Sequence, residues 1–211
     1  MNFKYAFYCS GSAARVIKFY NSNKLLDFPA EFVYYDGGRD NVITRLADIF
    51  GPDRVIVPSA EHFNANKVLS KTVNQELLSN LNSNKVDYLF CFGDKILKPL
   101  LVDAYKNRII NFHPSILPAF PGLNAIDQAL STSVQLLGNT AHFIDKGIDT
   151  GPIILQSVIS RRNFKNYDSV LDLQIGMLEK IWVWLETDMI TMDEGRVIIR
   201  ELTREKSFYS S

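Results

Sequence analysis

A continuous apolar run, VDYLFCF at 86–92, limits most sharply what this chain can become. It shows no polar alternation, so as a strand it must be covered on both faces, as a central strand of a parallel sheet is. The residues before it supply one cover. Between 65 and 83, Leu69, Val73, Leu77 and Leu81 recur every fourth position, the spacing of one helix face laid on a sheet. Further upstream, residues 3–9 predict a strand, and SGSAARVIKFYNS turns through Gly11 into a helix. EFVYY at 31–35 predicts a second strand closed by Asp36-Gly37-Gly38. DNVITRLADIF then carries helical spacing as far as Gly51-Pro52, and RVIVP at 54–58 predicts a third strand. Strand and helix in alternation predict a three-layer α/β domain with a mostly parallel, Rossmann-like sheet.

The carboxyl-terminal half departs from that rhythm. A short helical segment after Asp94 leads to the strand-like RIINF, and then TAHFID and PIILQSVIS, separated by the turn-rich KGIDTG, predict an antiparallel pair. A helix from Asp168 to about Thr187 has Leu171, Ile175, Leu178, Trp182 and Leu185 along one face, which is a packing surface. GRVIIREL predicts a last edge strand. Residues 1–203 then form one domain, with 204–211 a polar tail; 211 residues at 46% hydrophobic content suffice for one substantial core.

Charge narrows the partners. Lys plus Arg and Asp plus Glu number 23 each with no basic stripe, so the usual electrostatic signal for nucleic acid or an anionic membrane is missing. No apolar run reaches the roughly 18 residues of a membrane span, and no signal peptide stands at Met1, so a cytoplasmic protein with a small-molecule partner is expected. Cys9 and Cys91 lie far apart in apolar runs without metal-ligand spacing and read as small buried hydrophobes. A homodimer is compatible with this sequence.

Only three histidines are present, and one of them ends RIINFHP. Asn111 and His113 fall at the carboxyl end of a buried parallel strand, the edge where open α/β sheets build their crevices. Pro114 forbids helical geometry at His113 and removes a backbone donor, so the imidazole is held on extended backbone. A histidine bonded at a strand end for structural reasons has the same pattern. His142, two residues after Thr140 and on the same strand face, is a further candidate, or a core histidine with a backbone partner. His62, in SAEHFNANK, reads as solvated. No His, Cys and acid set shows metal-ligand spacing, and no metal is expected. Asp149 adds an acid in a glycine-bounded loop that can face the same crevice.

Taken together, NFHPSILPAFPG and GNTAHFIDKGIDTGPIILQ resemble the formyltransferase family, its glycinamide ribonucleotide transformylase core in particular and the sugar N-formyltransferases that share it. The likeness is strongest from about Val86 to Gln156. The family's Asn, His and Asp trio matches Asn111, His113 and Asp149, and Asp149 follows His113 by 36 positions, the family's interval. The resemblance implies formyl transfer from 10-formyltetrahydrofolate, as co-substrate, to a primary amine. In that reaction Asn111 and a protonated His113 steady the tetrahedral oxyanion, while Asp149 keeps the imidazole cationic and receives the amine's proton. Thr140 matches a hydroxyl-bearing position that places the proton-transfer water, or is simply a β-former. The pterin, read largely by loop backbone, implies a pocket from Ile96 and Leu97 and from the turn Ile144, Asp145, Lys146, Gly147 and Ile148. KILKPLL also reads as the start of an amphipathic helix.

Three departures bear on the acceptor and the pocket. The family's phosphate-gripping turn, SGxGSN, is here SGSAAR, so Ser10, Gly11 and Ser12 are expected either to bind a phosphate at a helix N-terminus or merely to cap the helix. The acidic residue that the purine enzyme uses on the ribose falls on Met177 in an ungapped alignment. Gly93 and Asp94 stand where larger apolar residues are usual. The first two favour a nucleotide-linked amino sugar as acceptor over glycinamide ribonucleotide, the alternative. The related formyltetrahydrofolate hydrolases usually carry an amino-terminal regulatory domain and are less expected, as are a silent folate-binding module and a dinucleotide binder lacking a full GxGxxG.

Overall fold

The computed structural model describes residues 3–21, 29–58 and 68–200. His62 and the expected tail from 204 lie outside the described residues, as do the first positions of the helix expected from 65.

Five short strands form the parallel part of the sheet: β1 (Tyr5–Cys9), β2 (Val33–Tyr35), β3 (Val55–Ile56), β4 (Tyr88–Phe92) and β5 (Ile109–His113). Two longer ones, β6 (Leu136–Phe143) and β7 (Ile153–Ser160), add the antiparallel part expected at the carboxyl-terminal side. The order is β3-β2-β1-β4-β5-β6-β7. The chain therefore winds outward from β1 in one direction and from β4 in the other. The crevice beyond the carboxyl ends of β1 and β4 is the switch point where such sheets bind ligands.

Strand alternation divides the core between the two faces. Tyr5, Phe7, Phe90, Phe92 and Phe112 pack on one face with helices α1 (Ala14–Asn21), α2 (Asp40–Phe50) and α7 (Leu173–Glu186). Ala6, Tyr8, Leu89, Cys91 and Ile109 pack on the other with α3 (Lys71–Ser83) and α4 (Pro99–Ala104). Every residue of β1 and four of the five in β4 are buried, the two-sided cover that VDYLFCF requires. Both cysteines are free and buried.

Several elements differ from expectation for local reasons. The helix expected from 65 begins at Lys71, where the Ser70 hydroxyl caps it by accepting from the Val73 amide at 3.2 Å. Leu69 instead lies on extended backbone, its amide donating to Ile96 O at 3.1 Å. No helix starts directly after Asp94. Lys98 precedes a proline and is extended, so α4 opens at Pro99, the first helical position that proline favours. The last long helix runs as α6 (Asp168–Leu171) and α7, divided at Asp172. GRVIIREL does not extend the main sheet. Among the described residues its strand β9 (Arg196–Ile199) pairs only with β8 (Ile190–Asp193), across a two-residue turn in which Glu194 and Gly195 both have positive φ, the geometry that joins twisted hairpins. Helix α5 (Ala125–Leu130) follows the proline-rich loop after β5. No helix among the described residues is long and apolar enough to cross a membrane.

Candidate active site

A cleft of about 990 Å³ opens at the switch point. Its walls come from the turn after β1, the loop after β4, the end of β5 and the turn between β6 and β7. Ser10, Gly11 and Ser12 lie on it, as do Ile96 and Leu97, the whole turn from Ile144 to Ile148, and Asn111, His113, His142 and Asp149. The sequence-predicted residues are thus brought together, with one exception.

The exception is Thr140. It is fully buried and not on the cleft. Its hydroxyl donates to Ser115 O at 2.7 Å and accepts from the Leu117 amide at 2.9 Å and from Gln156 Nε2 at 3.0 Å. With both lone pairs and the proton engaged, it holds the loop after His113 to the sheet and has nothing left for a water. Thr140→Val keeps the shape and strips these partners. The expected result is a loss of about 2–3 kcal/mol in a urea titration, since buried groups left unpaired bear most of their desolvation cost.

The four polar residues at the cleft's centre form one network. Register places Asn111 opposite His142 and His113 opposite Thr140, so the side chains of β5 and β6 share a face. His142 Nδ1 donates to Phe143 O at 2.9 Å, and its Nε2 lies 3.2 Å from Asn111 Nδ2 and 3.5 Å from Asp149 Oδ1. His113 Nε2 donates to Phe120 O at 2.9 Å, and Nδ1 lies 3.2 Å from Asp149 Oδ2. Both nitrogens of His113 thus face oxygen atoms.

Asp149 reaches this network from a separate element. Its backbone is left-handed, with φ 54°, a conformation that Asp tolerates better than most residues. Gly151, two positions on, runs against β6 so closely that an added Cβ would sit 1.8 Å from Phe143 O, and this close approach sets the turn beside the histidines. The Gly122 amide donates to Asp149 Oδ2 at 2.7 Å, tying the proline-rich loop to the same carboxylate. Burial pushes the Asp149 carboxyl up, but the hydrogen bonds from His142 and Gly122 and the charges of the two imidazoles outweigh it and hold the group below its ordinary 3.8.

The end of the cleft beside the β1 turn has its own support. Asp36 is buried at the end of β2 and accepts from Ser10 Oγ at 2.6 Å, Tyr8 OH at 2.8 Å and Lys95 Nζ at 3.0 Å. Ser10 Oγ also accepts from the Asp94 amide at 3.3 Å. The Ser10 hydroxyl is therefore turned inward, leaving the backbone of the turn for a ligand. Ala13 has a left-handed φ of 49°. The small residue at 93 has a local cause: a Cβ on Gly93 would lie 2.1 Å from the Tyr8 ring, which fills that space on its way to Asp36.

In the turn between β6 and β7, Asp145 Oδ1 accepts from the Gly147 amide at 3.0 Å and Thr150 Oγ1 at 2.8 Å, and the Lys146 ammonium pairs with exposed Asp103 at 3.0 Å. Lys146 thus offers the cleft its backbone and not its charge. Ile96 and Ile148 remain 45% and 57% exposed, two unpartnered apolar surfaces at the cleft mouth. Among the described residues no group of three His, Cys, Asp or Glu side chains has metal-holding geometry.

Sequence reasoning passed over Asp36, Lys95, Arg15 and Gln174. Asp36 was absorbed into a turn signal, and the others reach the cleft through tertiary packing that no spacing announces.

The model of the Formyl transferase family matches residues 33–170, more than half of the chain. The phosphoribosylglycinamide formyltransferase of Bacillus subtilis is 37% identical over 109 residues, which are 51% of this chain and 55% of that protein. The match thus spans about half the length of this curated relative. The formyltetrahydrofolate deformylase of Haemophilus influenzae is 43% identical over 77 residues, 36% of this chain and 28% of that protein. Among solved structures, glycinamide ribonucleotide transformylase 1 from Symbiobacterium toebii superposes with a TM-score of 0.75 at 25% identity, covering 94% of both chains.

These relatives overturn the expectation of a nucleotide-linked amino sugar as acceptor, for the Bacillus and Symbiobacterium proteins are both named for phosphoribosylglycinamide chemistry. The packing explains why the expectation misled. Met177 is 3% exposed inside the core, where its Sδ accepts from Ser157 Oγ at 3.0 Å, and it does not line the cleft. The residue there reports on packing and carries no information about an acceptor. With the family model matching more than half of the chain and the fold superposing on a solved transformylase, the chain belongs to the formyl transferase family.

Proposed function

We propose that this chain transfers the formyl group of 10-formyltetrahydrofolate to the primary amine of glycinamide ribonucleotide. The observation that carries the reading is Asp149, which arrives from the β6–β7 turn to meet both His113 and His142 while the Asn111 amide lies against His142. The amine nitrogen attacks the formyl carbon, the carbonyl oxygen becomes an oxyanion, and collapse expels the folate nitrogen, which takes a proton. The products are an N-formyl amide and tetrahydrofolate.

Each side chain has a part in this. Asn111, whose Nδ2 lies 3.2 Å from His142 Nε2, offers an amide N–H to the oxyanion, a preorganised donor of the kind whose loss typically costs about 3 kcal/mol of transition-state stabilisation. His113 joins it by exchanging its Phe120 bond for the oxyanion. Asp149 keeps that imidazole charged and accepts the amine's proton directly or through a water. The exposed Ile96 and Ile148, with Leu97 and the backbone of Ile144 to Gly147, suit a flat heteroaromatic pterin. The backbone of Ser10, Gly11 and Ser12, at the start of α1, suits the acceptor's phosphate.

The relation to a deformylase supports a second reading, in which water attacks in place of the amine. One assay separates the two. Tetrahydrofolate release that requires added glycinamide ribonucleotide supports transfer, and equal release without it supports hydrolysis.

A further inference from the structure

The acceptor end of the cleft holds a cation that the fold does not neutralise. Arg15 lines the cleft next to the Ser10–Ser12 turn, as the second residue of α1. Its guanidinium carbon lies 5.9 Å from the centroid of the Phe92 ring. Its Nε is buried with no hydrogen-bond partner, and no carboxylate among the described residues pairs with it. Burial pulls the guanidinium below its ordinary range, and Asp168 and Asp172 oppose this only through space.

Those two carboxylates are occupied elsewhere. Lys18, three residues along the same helix, holds Asp172 at 2.7 Å and Asp168 at 3.5 Å. Lys18 thereby takes the counterions that lie nearest to Arg15. A charge withdrawn from water without a partner is costly, and a guanidinium is the side chain whose planar fork best fits two oxygens of one anion.

We propose that Arg15 is the specificity-determining residue of the acceptor subsite: its guanidinium pairs with the phosphate of a phosphomonoester acceptor, and Lys18 keeps Asp168 and Asp172 from occupying it. This rests on the proposed function for the acceptor and adds the residue that selects it. The Phe92 ring meets the cation only with its face and supplies no hydrogen-bond acceptor for the guanidinium.

The test is calorimetric binding of ribose 5-phosphate to the full chain, with steady-state kinetics on glycinamide ribonucleotide. Arg15→Met weakens ribose 5-phosphate roughly 30-fold and raises the acceptor KM by a similar factor, with the folate KM and kcat little changed. Arg15→Lys restores part of the loss. Lys18→Gln, outside the cleft, weakens ribose 5-phosphate several-fold because Asp172 is freed to turn on Arg15. Binding by a folded Arg15→Met protein within threefold of wild type overturns the proposal. Ribose 5-phosphate binding that depends on Arg15, in a protein that formylates no glycinamide ribonucleotide, upholds the anion subsite and removes the acceptor reading instead.

Discussion

Asp149→Asn lowers kcat by about a thousandfold while the protein stays folded. Asparagine is the informative replacement because it tolerates the left-handed backbone at this position and can still accept from the Gly122 amide. What it removes is the charge shared by His113 and His142 and the only carboxylate in the central network. His113 then loses the anion that favours its charged form, and the amine's proton loses its acceptor. Both losses act on the chemical step, so the effect falls on kcat more than on KM. A kcat within tenfold of wild type removes Asp149 from the chemistry.

The same carboxylate carries a pH signature. Its folded value is depressed, so the stability it contributes is present above the unfolded value, near 3.9, and is lost as pH falls through the lower folded value. Unfolding measured in acid therefore shows wild type and Asp149→Asn converging below about pH 4. A difference that persists unchanged to pH 2 contradicts this assignment.

Asp36→Ala has the largest expected effect on stability. Three donors from β1, the following turn and the loop after β4 converge on this one buried carboxylate. Burial pushes the Tyr8 phenol up, so Tyr8 stays protonated and is a true donor to Asp36. Removing the carboxylate leaves a phenol, a hydroxyl and an ammonium without their acceptor, which costs about 3 kcal/mol even allowing Lys95 to swing into the cleft. Against a typical total of roughly 5–15 kcal/mol the loss is large, and it is read as a lower denaturant midpoint. The turn at Ser10 and the loop at Asp94 are also released from each other, so acceptor and folate KM both rise. A midpoint within experimental error of wild type refutes this account of the network.

The parts of the fold legible in the sequence are those fixed by local pattern. VDYLFCF reads as central because its stretch from Tyr88 to Phe92 has no polar alternation, and RIINFHP had to end a strand because proline ends it. The β6–β7 pair was legible because KGIDTG can only turn. Pairing partners were harder. GRVIIREL reads as a strand, but only the structure shows that MITMD takes it as its sole neighbour. At the site, alternation gave the correct face for Thr140 and said nothing of what covers it. The answer is the loop of Ser115 to Leu117, whose groups use up the hydroxyl.

The departures from the family pattern taught the most. Gly93 and Met177 are each explained by a neighbour, the Tyr8 ring and the packed core, and neither speaks to the acceptor. The role proposed for Arg15 depends on Lys18 having taken the nearby carboxylates, a tertiary fact.

The central claim is that Asn111, His113 and Asp149 pass a one-carbon unit to an amine. It is tested most directly by following an isotopically labelled formyl carbon from 10-formyltetrahydrofolate in the presence of glycinamide ribonucleotide. The account predicts label in an N-formyl amide with wild-type protein and almost none with Asp149→Asn. Label that emerges as free formate, or amide that forms equally well with the variant, contradicts it.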